Sequence, residues 1–360
     1  MTVRNLDFLF HPRAVAVVAE GGQPGCYADV VLRNLEGGGF KGPILRARAK
    51  KQSLFGLGAH MHVSELETVP DLAIICAQLR DVAGVVAELG ERGTRAVIVG
   101  PSLHESLSEA QVAEARKAIL DAARPRLVRV LGPGSGGLVV PSCGLNASVA
   151  PVMAGRGRVA LVVQSAAIAA AALDRAASKG IGFSAVVHLA AGLDIDLADV
   201  LDWLAEDPET KAILVQFEAA PAARKFMSAA RAAARNKPVV AMRGERLDNR
   251  EGKDLPFRGD DVYDTALRRA GWIRIDTLEA LFDAAEAMAR ARPLRGERLA
   301  IVGNGQGLGR IAAGTLLKHG GRLARLAPET ARQLAGLMRT GTAPGNPLVF
   351  HEAAAPENWT

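Results

Sequence analysis

Aromatic side chains and cysteines are scarce in this chain. Phe, Trp and Tyr make up only 4% of the 360 residues, whereas 49% are hydrophobic, so the core must be built from Val, Leu, Ile and Ala. Such a composition is typical of parallel sheets covered by alanine-rich helices. Cys26, Cys76 and Cys143 are too few and too widely spaced for a disulfide framework or a zinc cluster. We therefore expect an α/β protein of roughly two to three domains in a reducing cytoplasm.

Long apolar runs and blocks of one charge are also missing. No stretch approaches the roughly 20 apolar residues of a membrane span, and residues 2–7 carry no signal-peptide core. The 44 basic and 38 acidic residues give a net charge of +6, but they are interspersed along the chain. This pattern indicates a solvated surface. It predicts neither nucleic-acid nor membrane binding, and it leaves a polyanionic small molecule as a candidate ligand.

Strands and helices alternate from the start of the sequence. The β-branched run 15–19 leads into a glycine-rich turn, which is followed by a helical pattern over 28–35. Four further strands are predicted, at 43–45, 72–77, 96–99 and 126–131. This order predicts a doubly wound parallel sheet. The turn can bind an anion, because exposed backbone N–H groups and a helix N-terminus both favour negative charge, but the fingerprint G-x-G-x-x-G is absent, which disfavours NAD.

Several motifs occur in the order and spacing of one enzyme family. They are the opening segment 8–25, the turn 131–138, the linker 145–148, Gln164-Ser165-Ala166, and the acidic signature Asp194-Ile195-Asp196-Leu197-Ala198-Asp199. Together they resemble the α part of NDP-forming acyl-CoA synthetases, relatives of succinyl-CoA synthetase, over about residues 6–347. Residues 225–235 are especially similar to the synthetase-like region of bacterial protein acetyltransferases, although no acetyltransferase domain is found.

The resemblance implies a fold and a ligand. It implies a Rossmann-like CoA-binding domain at 1–150, a flavodoxin-like ligase domain at 151–294 and a partial second flavodoxin-like unit at 295–360. CoA or acyl-CoA would bind the first domain, and in the second domain Gln164 and Ser165 would border the phosphohistidine loop. The residues assigned to these sites are Gly21, Gly25, Cys26, Arg46, Arg48, Lys50, Gln164 and Ser165. The alternative interpretation of Arg46, Arg48 and Lys50 is that they are solvated surface side chains.

The chain departs from the family at positions that should face phosphate. Ala19-Glu20-Gly21 stands where the family has Gly-Ala-Ser, so Glu20 brings negative charge toward the expected pyrophosphate. Gly134 replaces an asparagine, and Ala166 replaces a glycine. CoA binding is therefore expected to be weakened or redirected compared with the family.

The catalytic histidine of the family is missing. Its Ser-His-Thr-Gly-Ala loop corresponds here to the segment Glu251–Phe257, and no histidine occurs between Asp196 and Gly271. Lys253 would be protonated and cannot replace it. Two candidate catalytic residues are left: Glu218, at the position that supports the histidine in the family, and His188, whose strand should end beside the loop. His60 and His62 do not form a metal-ligand pattern, so we expect no metal to be bound by this chain alone.

Three functions follow as hypotheses. The first is a catalytically degenerate α-type module that binds CoA or acyl-CoA and acts as a sensor, regulatory partner or assembly subunit. The second is the α-subunit of an active acid-thiol ligase with an unconventional nucleophile, and the third is a ligand-free interaction scaffold. The first two require a grasp-domain or β-type partner, because no such domain is visible in the sequence, and we expect a homo- or hetero-oligomer.

Overall fold

The structure, a computed structural model, describes residues 3–19, 27–49, 61–101, 107–150, 152–190, 192–220, 222–244, 259–290, 296–335 and 344–350. The side chains of 259–261 are outside this description. The chain divides into two compact units, 1–290 and 291–360. Within the described residues, no helix combines the length and the apolar character needed to cross a membrane.

Two sheets form the first unit. The strands are β1 (Val15–Ala19), β2 (Ile44–Arg48), β3 (Met61–His62), β4 (Leu72–Cys76), β5 (Ala96–Val99), β6 (Arg129–Leu131), β7 (Gly137–Val140), β8 (Leu145–Ser148), β9 (Gly155–Val163), β10 (Gly182–His188), β11 (Ala212–Phe217), β12 (Val239–Arg243) and β13 (Ile273–Ile275). The helices are α1 (Asp7–Phe10), α2 (Tyr27–Gly37), α3 (Leu79–Arg92), α4 (Glu109–Ala123), α5 (Ala166–Lys179), α6 (Leu197–Glu206), α7 (Ala223–Asn236), α8 (Gly259–Ala270) and α9 (Leu278–Arg290).

The first sheet is parallel and has the order β3-β2-β1-β4-β5-β6. Its central strands are short apolar runs with nearly every side chain buried, as expected for strands covered on both faces. The predicted doubly wound α/β fold is confirmed in this sheet. β2 extends to Arg48, three residues beyond the predicted end at residue 45.

The second sheet has the order β13-β12-β11-β9-β10-β7-β8. Strands β9 to β13 are parallel, as predicted, whereas β7 and β8 form an antiparallel hairpin whose first strand pairs with β10. The sequence analysis assigned 145–148 to a linker, and that assignment was wrong. Only Pro141–Gly144 connects the two strands, and a parallel crossover needs a dozen or more residues, so the hairpin must be antiparallel.

The second unit contains short strands and two helices. They are β14 (Arg298–Leu299), β15 (Val302–Asn304), β16 (Arg322–Leu323), β17 (Leu348–Phe350), α10 (Gln306–Lys318) and α11 (Pro328–Ala335). β14 pairs with β16 and β15 with β17, both in parallel. Leu308 and Ile311 on α10 are 76% and 68% exposed, so the described part of this unit leaves one helix face uncovered. The domain bounds at 150 and 294 stay predictions.

Candidate functional site at the junction of two sheets

The strand order of the first sheet reverses between β1 and β4, which marks a switch point at the carboxyl edge of this sheet. Open α/β sheets bind ligands at such switch points. β1 ends there at Ala19, β4 ends at Cys76, and α2 begins at Tyr27. Four predicted CoA ligands lie outside the described residues: Gly21, Gly25, Cys26 and Lys50. Their assignment to CoA therefore stays a prediction.

Two predicted phosphate ligands, Arg46 and Arg48, lie on β2, the strand that pairs with β1. Arg46 Nη2 is 2.6 Å from Glu36 Oε1 of α2, and the two side chains are 49% and 52% exposed. An exposed ion pair of this kind contributes at most about 1 kcal/mol, but it neutralises the Arg46 charge. Arg48 pairs with Ala19, the last residue of β1, and so lies nearer the carboxyl edge. Of these two, Arg48 is better placed for a ligand phosphate.

The closing turn, residues 132–136 between β6 and β7, connects the first sheet to the second one. Tyr27 Oη donates a hydrogen bond to the Ser135 carbonyl at 2.8 Å, and Ser135 Oγ donates to the His188 carbonyl at 2.5 Å. Ser135 Oγ also accepts from the Gly137 N–H at 3.0 Å. Burial, with a smaller contribution from Cys76, raises the pKa of Tyr27 far above its usual range. Tyr27 is therefore a neutral donor that fixes the turn against the start of α2.

His188, the candidate replacement nucleophile, is held by backbone groups on both sides of its ring. Its Nδ1 accepts a hydrogen bond from the Gly136 N–H, and its Nε2 lies 3.1 Å from the Gln164 carbonyl. Burial lowers the pKa of His188, and the Gln164 carbonyl only partly opposes this shift. The ring is thus neutral, with the proton on Nε2. In this arrangement neither nitrogen has a lone pair available for attack on phosphorus.

The state of His188 predicts a pH dependence of stability. Because its folded-state pKa lies below the ordinary value of 6.5, the unfolded chain binds a proton that the folded chain does not. This contribution is complete above pH 6.5 and is lost as the pH falls toward the folded-state pKa. Urea unfolding at several pH values below 6.5 should therefore give a flatter pH dependence for His188→Gln than for the wild type. The exposed His319→Gln is the control, and equal slopes for His188→Gln and the wild type would contradict the assignment.

Two glutamines organise the ends of β9 and β11. The Gln164 side chain accepts from the Glu218 N–H at 2.7 Å through Oε1 and donates to the Ala219 carbonyl at 3.0 Å through Nε2. Gln216 Oε1 accepts from the N–H groups of Gln164 and Ser165, at 3.1 and 3.2 Å. The sequence analysis predicted Gln164 and Ser165 but missed Gln216. A glutamine in the otherwise apolar and fully buried strand β11 was the signal that could have found it.

Ser165 is the N-cap of α5, where its Oγ accepts from the Ile168 N–H at 3.4 Å. The helix begins with exposed Ala166, the residue that replaces a glycine of the family. Ser165 thus has a structural role at the predicted border of the phosphohistidine loop.

Glu218 lies directly after β11, beside the segment where the catalytic loop is expected. A Cβ on Gly244 would be 3.4 Å from Glu218 Cγ, and residues 245–258 follow Gly244 outside the described residues. Across the described ranges, no side chain or N–H group donates a hydrogen bond to the Glu218 carboxylate. Nearby, the Arg243 guanidinium lies 4.2 Å from the ring centroid of Tyr263, whose Oη accepts from the Ala220 N–H at 3.3 Å. The carboxylate is therefore held next to the predicted loop without a described partner.

The acidic signature connects the two sheets. Asp194 accepts hydrogen bonds from the Val130 N–H at 3.0 Å and from Arg129 Nε at 2.8 Å, and both donors belong to β6 of the first sheet. Asp196 and Asp199 form a capping box at the start of α6. The signature therefore positions the second sheet against the first.

Asp199 is the buried carboxylate of this junction, and it faces both Lys225 and Arg129. Its side chain is 2% exposed and lies 2.6 Å from Lys225 Nζ, which also lies 3.0 Å from Asp196 Oδ1. Burial lowers the pKa of Lys225, but Asp199 and Asp196 more than offset this, so that its pKa is raised. Burial raises the pKa of Asp199, against the opposing effect of Lys225. Because Lys225 and Arg129 both face this carboxylate, we assign the pair as ionised at neutral pH.

Two domain models match this chain, and they correspond to the two sheets. The CoA binding domain matches residues 13–141, and the succinyl-CoA ligase-like flavodoxin domain matches residues 156–288. The chain belongs to the NDP-forming acyl-CoA synthetase family and is an α-subunit-like module of the ADP-forming enzymes. In the described residues, no group of three or more potential ligands is arranged to hold a metal ion.

Relatives and solved structures match over most of the chain. The α subunit of ADP-forming acetate–CoA ligase II from Pyrococcus furiosus is 28% identical over 98% of this chain and 78% of its own length. A crystal structure from Pyrococcus horikoshii has a TM-score of 0.85 at 27% identity and covers 98% of this chain and 78% of that one. Acetyl-coenzyme A synthetase 1 of Candidatus Korarchaeum cryptofilum, solved with phosphate and ADP, has a TM-score of 0.84 at 28% identity, over 96% and 75% of the two chains.

Proposed function

We propose that this chain binds CoA or acyl-CoA and acts as a catalytically degenerate regulatory or assembly subunit. The observation that carries the proposal is the state of His188. Both of its ring nitrogens bind backbone groups, and no histidine lies between it and His319 along the chain. A phosphoryl relay requires an imidazole nitrogen that is free to attack. The segment Glu251–Phe257 also offers no histidine, so the chain lacks the residue that would carry the phosphoryl group.

Binding of CoA is supported by the first sheet. Its domain matches a CoA-binding model, its strand order reverses between β1 and β4, and Arg48 lies at the carboxyl end of β2. Arg48 and the start of α2 fit a phosphate-bearing ligand, because this cation and the helix N-terminus face the same edge of the sheet. CoA, when bound, supplies the thiol that carries an acyl group. The described residues Arg48 and Tyr27 would position the ligand and order the turn that leads to the second sheet.

A partner subunit is part of the same proposal. Similar proteins are named as α subunits, and a solved neighbour binds phosphate and ADP. We propose a β-type partner with a grasp domain that supplies a nucleotide site, and a cytoplasmic location for the complex. Mg²⁺ would then belong to the partner.

An active ligase is the second candidate function, and the Glu218 carboxylate favours it. Its lack of a described hydrogen-bond donor leaves it available to a phosphorylated group or to a residue of 245–258. A ligand-free scaffold is the third candidate. It is favoured by the pairing of Arg46 with Glu36, which reduces the positive charge at the predicted CoA site.

CoA binding is tested by calorimetry with the full chain. We expect saturable binding that Arg48→Glu weakens by about tenfold or more, because charge reversal places a carboxylate beside phosphate. Arg46→Glu is the matched comparison on the same strand, and it should have a smaller effect because Arg46 already pairs with Glu36. No binding at millimolar CoA would reject the proposal in favour of the scaffold.

Catalytic degeneracy is tested by phosphorylation. The chain is incubated with labelled ATP, Mg²⁺ and the nucleotide-binding subunit of a relative, and the protein is analysed for acid-labile label. We expect none. Stoichiometric label on any residue, together with acyl-CoA formation, would establish the active ligase, and loss of label in His188→Gln would identify His188 as the carrier.

A further inference from the structure

The closing turn is hydrogen-bonded to both sheets through Ser135 and Gly136. On the side of the first sheet, the Ser135 N–H donates to the Val99 carbonyl at 3.1 Å, and the Ser135 carbonyl accepts from Tyr27 Oη at 2.8 Å. On the side of the second sheet, Ser135 Oγ donates to the His188 carbonyl at 2.5 Å, and the Gly136 N–H donates to His188 Nδ1. His188 is the last residue of β10 and is 7% exposed. One histidine therefore holds the turn on the second sheet.

The ring of His188 can make this contact only while it is neutral. The Gly136 N–H points at Nδ1, so Nδ1 has to supply a lone pair, and a proton there would bring two N–H donors against each other. The ring is also in close contact with the turn, since a Cβ on Gly136 would lie 2.9 Å from His188 Nδ1. On the other side, Nε2 lies 3.1 Å from the Gln164 carbonyl, so the ring cannot rotate away without losing that bond. A protonated ring therefore requires the turn to move.

Among the described residues, no charged side chain compensates for a proton on His188. The elements packed against β10 are β7, β9, α5 and the segment Pro141–Cys143. Burial lowers the pKa of His188, and only the Gln164 carbonyl opposes this shift. The titratable side chains of the packed elements lie away from the end of β10: Arg156 and Arg158 at the start of β9, Asp174, Arg175 and Lys179 in the second half of α5, and Cys143 between β7 and β8.

Two other contacts join the sheets without His188. Asp194 accepts from Arg129 Nε of β6 at 2.8 Å. Trp203 of α6 stacks on Phe10 of α1, with 3.7 Å between the ring centroids. Loss of the His188 contact would therefore free the end of the turn from β10 while the two sheets stay joined.

We propose that protonation of His188 releases the closing turn from β10, which makes this turn a pH-sensitive contact between the two sheets. A proton from solvent binds Nδ1, the bond from the Gly136 N–H breaks, and both donors bind water instead. Gly137, the first residue of β7, pairs with His188, so this pair opens with the turn. Release begins below pH 6.5, the ordinary pKa of histidine, because the open turn exposes the ring to water. The inference goes beyond the proposed function and needs no bound CoA.

The test is hydrogen exchange followed by mass spectrometry on the full chain without ligand, at several pH values between about 5 and 7.5. Each exchange rate is compared with that of an unstructured peptide at the same pH, which gives the protection of the segment. We expect protection over residues 136–140 to fall about tenfold per pH unit below 6.5, until the folded-state pKa of His188 is reached, because only the open turn takes up the proton. Peptides of β4 and β11 should keep their protection, since the sheets stay folded.

His188→Gln is the matched variant, because glutamine offers an acceptor and a donor but does not titrate. Its protection over residues 136–140 should not change with pH, whereas His319→Gln, at an exposed histidine of the second unit, should behave as the wild type. If the turn of His188→Gln is already open at neutral pH, nitrogen NMR of the wild-type ring decides instead. The Nδ1 resonance of His188 should then titrate together with the loss of protection.

Three results would overturn the inference. The first is loss of protection in β4 and β11 at the same pH as in residues 136–140, which would mean that protonation unfolds the whole unit. The second is titration of Nδ1 without a change in protection over residues 136–140, which would mean that the turn stays on β10 when the ring is charged. The third is an equal pH response of the wild type and His188→Gln.

Discussion

Lys225→Met should lower the free energy of unfolding by about 2–3 kcal/mol, less than the roughly 3–5 kcal/mol for a fully buried pair, because the Lys225 side chain is 32% exposed. The Asp199 side chain is 2% exposed and would lose the ammonium group 2.6 Å away. Arg129 Nη2, at 3.5 Å, compensates only in part. Equilibrium unfolding in urea at neutral pH measures the change, provided that the slope of free energy against urea is the same in both proteins.

Lys117→Met is the matched control for this prediction. Lys117 Nζ lies 2.6 Å from Asp121 Oδ2, the same distance as in the Lys225–Asp199 pair, but the side chains of Lys117 and Asp121 are both exposed. Its replacement should leave stability almost unchanged, because an exposed pair is solvated whether or not it forms. Similar losses in the two variants, or a stable Lys225→Met protein, would show that Asp199 is not held as a buried ion.

Gly137→Ala should cost more than about 3 kcal/mol or prevent accumulation of folded protein. Gly137 has φ of +93°, where a side chain is strained, and a Cβ there would lie 2.0 Å from the Ala147 carbonyl oxygen. That oxygen belongs to the paired strand β8, which cannot move away without breaking the hairpin. Soluble yield and the thermal unfolding midpoint measure the effect.

Gly84→Ala is the corresponding control, because it adds the same methyl group without a clash. Gly84 lies inside α3, and no atom lies within 4 Å of the position that its Cβ would occupy. Alanine should stabilise this helix by about 0.5–1 kcal/mol relative to glycine. A Gly137→Ala protein with the wild-type midpoint would contradict the geometry of the closing turn.

Regular apolar patterns made most of the fold predictable. Strand β1 follows directly from the continuous apolar run 15–19, and helix α2 follows from the helical pattern over 28–35. The predicted end of β2 was too early because Arg46 and Arg48 interrupt the apolar run, although most side chains of this strand are only half-buried or exposed and can therefore be polar. The hairpin was missed because β7 and β8 were interpreted as motif and linker.

The candidate site was predictable in position but not in its contacts. Gln164 and Ser165 were found from the motif that they share with the family, and His188 from its place along the chain. The bonds that define their roles join residues more than 20 positions apart, such as His188 with Gln164, or Gln216 with Ser165. Asn34 illustrates the same limit. Its amide donates to the carbonyls of Ser148 and Ala150, and both of these residues are more than 110 positions away along the chain.

The acidic signature identifies the family of this protein through residues whose contacts are structural. Asp194, Asp196 and Asp199 bind the start of α6, the neighbouring sheet and the half-buried Lys225, and none of these contacts requires a phosphoryl group. A protein of this family that has lost the reaction still needs these contacts in order to fold. The most recognisable segment of such a chain therefore reflects its fold. It identifies the family of the protein, but it does not indicate whether the protein catalyses the reaction.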